Sequence, residues 1–172
     1  ENAEIYGKLY SVAGDIDLTT VSNRCALFFN KNLAETYLPD ENLYGKVLDG
    51  TFTQEYLIGI TKDIYQDLDG DQKKSDGDFY GFDANNGLDP FPVGGNFNYT
   101  KKTSDGGYEW DMVSDHNVTL IERFYDMYNS NNGIFFIDKA DDNRFIQNQC
   151  VFTISMLNMT EKLRDMKEEY GI

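Results

Sequence analysis

The sequence predicts an α/β fold, and three features predict it. Two strongly apolar runs of strand length, "RCALFFN" (24–30) and "CVFTISM" (150–156), stand far apart in the chain. Around them lie stretches whose apolar residues recur every three to four positions, the period of an amphipathic helix. Strand-like and helix-like segments thus alternate, the pattern of a sheet with helices packed on it. The 172 residues suffice for one domain with a substantial core, and 12 Tyr with 12 Phe supply packing material that a disordered chain lacks.

Taken in order, "IYGKLYSVAG" (5–14) alternates and reads as the edge of a strand pair closed by Gly14. "RCALFFN" is a buried strand. "KNLAETYL" (31–38) and "ENLYGKVL" (41–48) are short helices separated by Pro39-Asp40. A firmer helix is predicted over 53–66, with Leu57, Ile60 and Ile64 on one face and Thr51 or Thr53 as its cap, followed by Gln54 and Glu55. "FYGF" (79–82) opens a strand. Residues 83–107 hold two Gly-Gly pairs and two of the three prolines, and read as a loop long enough to be functional. Ser114 caps a second helix, with Val118, Ile121, Tyr125 and Tyr128 on one side and Leu120, Phe124 and Met127 beside them; Asn132-Gly133 ends it. "DDNRFIQNQ" (141–149) is a short helix and "CVFTISM" a buried strand. A last helix runs from Asn158 or Thr160 to Gly171.

Charge narrows the function. The net charge is −15, from 30 acidic against 15 basic residues, a field that repels phosphate backbones and argues against nucleic acid as a partner. No run approaches the 18 apolar residues of a membrane span. The chain opens "ENAEIYGKLY", with neither Met nor a signal-peptide core, and reads as an excised piece of a longer protein. Cys25 and Cys150 each sit in an apolar run; they are free core thiols or a single disulfide. With His116 as the one histidine, neither belongs to a zinc site.

The densest chemistry lies in "DLDGDQKKSDGD" (67–78). An EF-hand-type calcium loop takes side-chain oxygens at positions 1, 3 and 5, a backbone carbonyl at 7, a direct or water-borne ligand at 9 and a carboxylate at 12. Counted from Asp67, those places hold Asp67, Asp69, Asp71, Lys73 through its carbonyl, Ser75 and Asp78. Two places depart from the pattern. Gln72 stands where Gly makes the sharp turn, and Asp78 stands where the longer Glu chelates with both oxygens. The bland reading is a solvated acidic loop. A single loop with the helix 53–66 before it and a strand after it has no second loop to work with as a sensor. A structural Ca2+ that pins two elements is the expectation.

In this order of elements, the chain resembles the extracellular solute-binding lipoproteins of bacterial ABC importers that capture oligosaccharides. "YGKLYSVAGD" (6–15) resembles the family's "NGKLYGVPGD", and "ALFFNKNLAE" (26–35) its strand-to-helix step. Residues 50–82 resemble its helix with the calcium loop, and 150–172 its strand, ligand-facing turn and helix. "LDPFPVGGNF" (88–97) keeps an Asp-Pro-Phe step but not the aromatic-rich continuation.

The resemblance implies a periplasmic-binding-protein type II fold, with residues 1–172 as a single lobe, its central sheet flanked by helices. It further implies an extracellular or periplasmic lipoprotein, held to the membrane by an N-terminal lipid anchor outside this chain and serving importer membrane subunits. Carried over by position, its ligand contacts are Asp15, Asp17, Asp89, Phe91, Phe97, Asn158 and Met159. Trp110, the one tryptophan, joins them on chemistry, since sugar rings stack on exposed aromatic faces; packing against the following helix is its other reading. Two other function classes compete. A calcium-dependent interaction or adhesion module, dockerin-like, would repeat the loop that occurs once here. A glycoside hydrolase fragment would need a carboxylate pair with separated pKa values, and no pair stands out. A non-catalytic binding protein is the expectation.

Overall fold

The computed structural model describes residues 4–12, 14, 17–84, 90–136 and 142–172. The chain opens with a small hairpin, β1 (Glu4–Ile5) and β2 (Lys8–Leu9), followed by α1 (Leu18–Ser22) and β3 (Cys25–Asn30). Helices α2 (Lys31–Tyr37), α3 (Leu43–Leu48) and α4 (Gln54–Thr61) precede strands β4 (Tyr65–Gln66) and β5 (Phe79–Asp83). Helix α5 (Pro90–Gly94) and the hairpin β6 (Thr100–Lys102) and β7 (Tyr108–Trp110) lead to the long helix α6 (Asp115–Ser130). Then come β8 (Ile134–Phe135), α7 (Asn143–Ile146), β9 (Cys150–Met156), α8 (Met159–Lys162) and β10 (Tyr170–Gly171).

Among the described residues, six strands form the central sheet in the order β10-β3-β9-β5-β4, with β8 beside β5. The two apolar runs of the sequence lie side by side as β3 and β9, antiparallel, from Cys25↔Met156 to Phe29↔Phe152. Strands β5, β8 and β9 are parallel, so their carboxyl ends emerge along one edge. All five residues of β5 are buried, as a central strand covered on both faces requires. Neighbouring residues Phe28 and Phe29 enter different apolar clusters, because successive strand side chains point to opposite faces. The larger cluster joins Phe29, Leu43, Leu57, Phe82, Phe91 and Phe152; the smaller joins Phe28, Phe145, Cys150, Met159 and Leu163.

Capping chemistry sets the helix starts. Asn30, Asn42, Thr53 and Ser114 each accept a backbone N–H of the first turn of α2, α3, α4 and α6. Tertiary pairing sets two of the ends, and here the structure departs from the local reading. The helix expected over 53–66 stops at Thr61, and Tyr65 and Gln66 pair with β5 instead. Tyr65 sits opposite Tyr80 with ring centres 5.3 Å apart, a cross-strand contact that a further helical turn would forfeit. Likewise the last helix ends at Lys162 with a 3₁₀ turn beyond it, and Tyr170–Gly171 add a strand to β3. A side chain at Gly171 would collide with the Phe29 ring, so this pairing needs glycine.

Of the two readings of the thiols the structure keeps the free one, and it corrects the place of Cys25. Cys150 is buried, but Cys25 opens β3 at its exposed end, and both are free. Cys25 faces Met156, which puts it about 20 Å along the strand from Cys150, far beyond disulfide reach.

Candidate functional site

Two polar regions stand out, at opposite ends of β5. The first is the acidic loop, which spans the turn between the antiparallel strands β4 and β5, so a strand and not a helix leads into it. Each of its early carboxylates accepts backbone N–H groups just downstream. Asp67 takes those of Gly70 and Gln72 at 2.6 and 2.8 Å, Asp69 that of Asp71 at 3.0 Å, and Asp71 that of Lys73 at 2.7 Å. Ser75 donates its hydroxyl to Asp69 at 3.3 Å. The result draws carboxylate oxygens of Asp67, Asp69 and Asp71 within 4.8 Å of one another. That spacing fits ligands around one calcium ion, whose oxygen distances are about 2.3–2.6 Å.

Asp78, the expected twelfth-position ligand, lies outside that cluster of three. It is fully buried. One oxygen accepts the Leu68 N–H at 3.0 Å; the other accepts the Ser75 N–H at 2.8 Å and the hydroxyls of Tyr65 and Tyr80 at 3.2 and 3.4 Å. Burial pushes its pKa up, but the hydrogen bonds from Ser75, Leu68 and Tyr65 outweigh it and hold the carboxyl below its ordinary value. With both oxygens engaged, Asp78 ties the start of the loop at Leu68 to its end at Ser75.

Beneath the loop lies a residue that the sequence did not mark. Arg144 of α7 is buried; its Nη1 donates to the carbonyls of Asp76 at 2.7 Å and Asp78 at 3.2 Å, and its Nη2 to the Asp76 carboxylate. Its Nε lies 3.0 Å from buried Asp83 at the far end of β5. The N–H does not line up along that contact, so the pair is electrostatic more than a linear hydrogen bond. The guanidinium also lies 4.2 Å from the ring centre of Phe135, which stacks on Tyr80. One arginine thus spans β5 from the acidic loop to its carboxyl end. The partners are 61 and 68 positions away in sequence, so no local motif announces them.

The second region is the carboxyl edge of β5, β8 and β9. Strand β9 ends there, the backbone N–H groups of Leu157 and Asn158 bond to the carbonyls of Arg24 and Ser22, and the Asn158 amide meets Asn23 at 3.4 Å. Asp17 starts α1 on the same side, accepting the Thr19 N–H at 2.9 Å and the Thr20 hydroxyl at 2.8 Å. Those bonds, Thr20's foremost, lower its pKa. Close by, Asp142 accepts the Ser155 hydroxyl at 3.0 Å and pairs with Lys162 at 2.6 Å. Sequence reasoning missed this trio because its members come from three separate segments.

The expected ligand residues divide. Asp17 and Asn158 are exposed at this edge, and Asn158 makes no side-chain cap. Phe91 and Met159 are corrected: both are buried in the two apolar clusters, Phe91 edge-on to Phe82 and Phe124, and neither ring nor thioether is available to a ligand. Phe97 is half-buried against Tyr99. Trp110 is 78% exposed, facing Thr100 across the β6–β7 hairpin, so it does not pack on α6. Asp15 and Asp89 lie outside the described residues.

No protein-family model matches the chain, and no curated protein sequence matches it. Solved structures do. It superposes on the maltose/maltodextrin-binding domain MalE from Bdellovibrio bacteriovorus bound to maltotriose, at TM-score 0.58 and 16% identity, over 87% of this chain and 36% of that one. It superposes on the Thermus thermophilus maltotriose binding protein bound with maltotriose at TM-score 0.54 and 16% identity, over 86% of this chain and 36% of that one. This likeness shows the fold: a mixed sheet flanked by helices, shared with the matched part of those two structures. The chain spans about a third of the length of the structures it matches. Among the described residues no helix is long and apolar enough to cross a membrane.

Proposed function

We propose that the chain is one lobe of a solute-binding protein that captures oligosaccharides for a bacterial ABC importer. The observation that carries this is the carboxyl edge of β5, β8 and β9, where β9 runs out through Ser155, paired with Asp142 and Lys162, to Asn158, which meets Asn23 after α1, on a fold shared with two maltotriose-bound proteins. In open α/β sheets that edge is where ligands bind. Its carboxylate, amide, hydroxyl and ammonium groups suit the hydroxyls of a sugar, and the exposed Trp110 and half-buried Phe97 would be the aromatic faces of this reading. The whole protein would be an extracellular or periplasmic lipoprotein delivering sugar to importer membrane subunits. The reading is non-catalytic, because no carboxylate pair with separated pKa values stands out in the sequence.

The acidic loop would hold a structural calcium ion through Asp67, Asp69, Asp71, the Lys73 carbonyl and Ser75, directly or through water, with Asp78 bracing the loop below. The ion's two positive charges would offset most of the repulsion among three carboxylates.

A single wall retains about half of a cleft's contacts while losing the ligand's freedom in full, a cost of several kcal/mol; at about 1.4 kcal/mol per tenfold, micromolar affinity falls to millimolar. NMR titration with neutral oligosaccharides is expected to show millimolar binding, with shifts at Asp17, Asn23, Ser155 and Asn158. Submicromolar affinity would show a complete site within these residues and overturn the one-lobe reading; no shifts at this edge would overturn the sugar reading. Calorimetry with calcium, and a melting temperature lowered by chelator, test the loop independently.

A further inference from the structure

Helix α6 carries more apolar surface than the fold covers. At about 100° per residue, Asn117, Leu120, Phe124 and Met127 share the inward side; Asn117 is buried, and Phe124 and Met127 pack on the larger cluster. The adjoining side, Val118, Ile121, Tyr125 and Tyr128, was the other apolar face in the sequence. It stands exposed at 45, 48, 67 and 39%, with Tyr128 edge-on to Phe136 at 5.6 Å. Single exposed apolar side chains are ordinary, but four in line over about three turns mark a contact surface.

Charge says what fits there. Asp115, Glu122 and Asp126, all exposed, run along the outer margin of the stripe: Asp115 lies three residues before Val118, Glu122 four after it, and Asp126 four after Glu122. The helix's basic groups lie on the opposite side, where His116 Nε2 meets the Gly95 carbonyl at 3.0 Å and Arg123 reaches Glu55 of α4 at 4.0 Å. Two copies joined through this face would set acidic row near acidic row on molecules of charge −15, which disfavours self-association.

We propose that this face of α6 docks a cationic amphipathic helix of a partner protein. The partner's apolar side, spaced i, i+3, i+4, i+7, lies on Val118, Ile121, Tyr125 and Tyr128, and its Lys/Arg row meets Asp115, Glu122 and Asp126. None of these residues belongs to the acidic loop or to the carboxyl edge, so the surface stands independently of the sugar reading.

The test titrates the 172-residue chain by NMR with a Leu/Lys helical peptide of about five turns, and with a Leu/Glu peptide of identical apolar face. The Leu/Lys peptide is expected to shift the amides of 115–130 and to weaken with salt. It should lose roughly tenfold or more in affinity on the double variant Ile121→Ser, Tyr125→Ser, which keeps the net charge, and several-fold on Glu122→Gln, Asp126→Asn. Melting curves check that these exposed substitutions leave the fold intact. Binding that survives the Ile121→Ser, Tyr125→Ser change would be mere attraction to an acidic protein and would overturn the proposal. So would equal binding of the Leu/Glu peptide, no binding at all, or sedimentation showing that α6 pairs with a second copy.

Discussion

At Gln72 the backbone holds φ at 60°, the left-handed region where a side chain crowds the following carbonyl. This is the place where a calcium loop ordinarily has glycine, and the fold keeps the turn while accepting the strain. Gln72→Gly is expected to raise stability by about 1 kcal/mol, seen as a higher urea midpoint; a lower midpoint would mean that the glutamine side chain supplies something the turn needs. Arg144 is the opposite case, a residue whose loss is costly because of what it leaves behind. Arg144→Met strands buried Asp83 without its counter-charge and is expected to cost about 3–5 kcal/mol. Adding Asp83→Asn should recover part of that loss in chemical denaturation. A double variant as unstable as the single would show that the arginine acts mainly through the Asp76 and Asp78 carbonyls.

Helices α2, α3, α4 and α6 begin where local capping dictates, and α4 ends where the sheet dictates. Thr53, not Thr51, caps α4, its hydroxyl accepting the Tyr56 N–H at 3.2 Å. Thr53→Ala should therefore cost about 1 kcal/mol, measured as a shift in denaturation midpoint. Thr51→Ala serves as the comparison, since its hydroxyl meets exposed Asp49; equal losses would contradict the assignment. The end of α4 was not legible locally, because Ile60 and Ile64 continue the helical period. The turn stops because Tyr65 has a partner in Tyr80, fifteen residues on. The same competition converts Tyr170–Gly171 from a predicted helix end into the edge partner of β3.

Across the whole molecule, the excess of negative charge is the dominant long-range term. A charge of −15 on 172 residues repels itself, and salt screens that repulsion over a Debye length of about 8 Å at 0.15 M. The melting temperature is expected to rise from low salt to 0.15 M NaCl by scanning calorimetry. A fall would mean that ion pairs such as Lys31–Glu169 and Lys101–Glu109 outweigh the repulsion. Because salt acts on all charges and calcium on a few, a further rise with micromolar calcium at fixed ionic strength would be separable from screening.

By itself the sequence determined the α/β class, the two apolar strands that lie paired in the sheet, the Ser114 cap and the clustering of Asp67, Asp69 and Asp71. Each of these rests on residues within a few positions of one another, or on runs so apolar that only the sheet's interior can hold them. Tertiary structure decided that Asp78 turns inward, that Phe91 and Met159 are core, that Cys25 is exposed, and that Arg144 bridges the two ends of β5. It also chose which of two adjacent apolar sides of α6 meets the core. Periodicity shows that a helix has an apolar arc, but only the position of the neighbouring elements decides which part of the arc they cover.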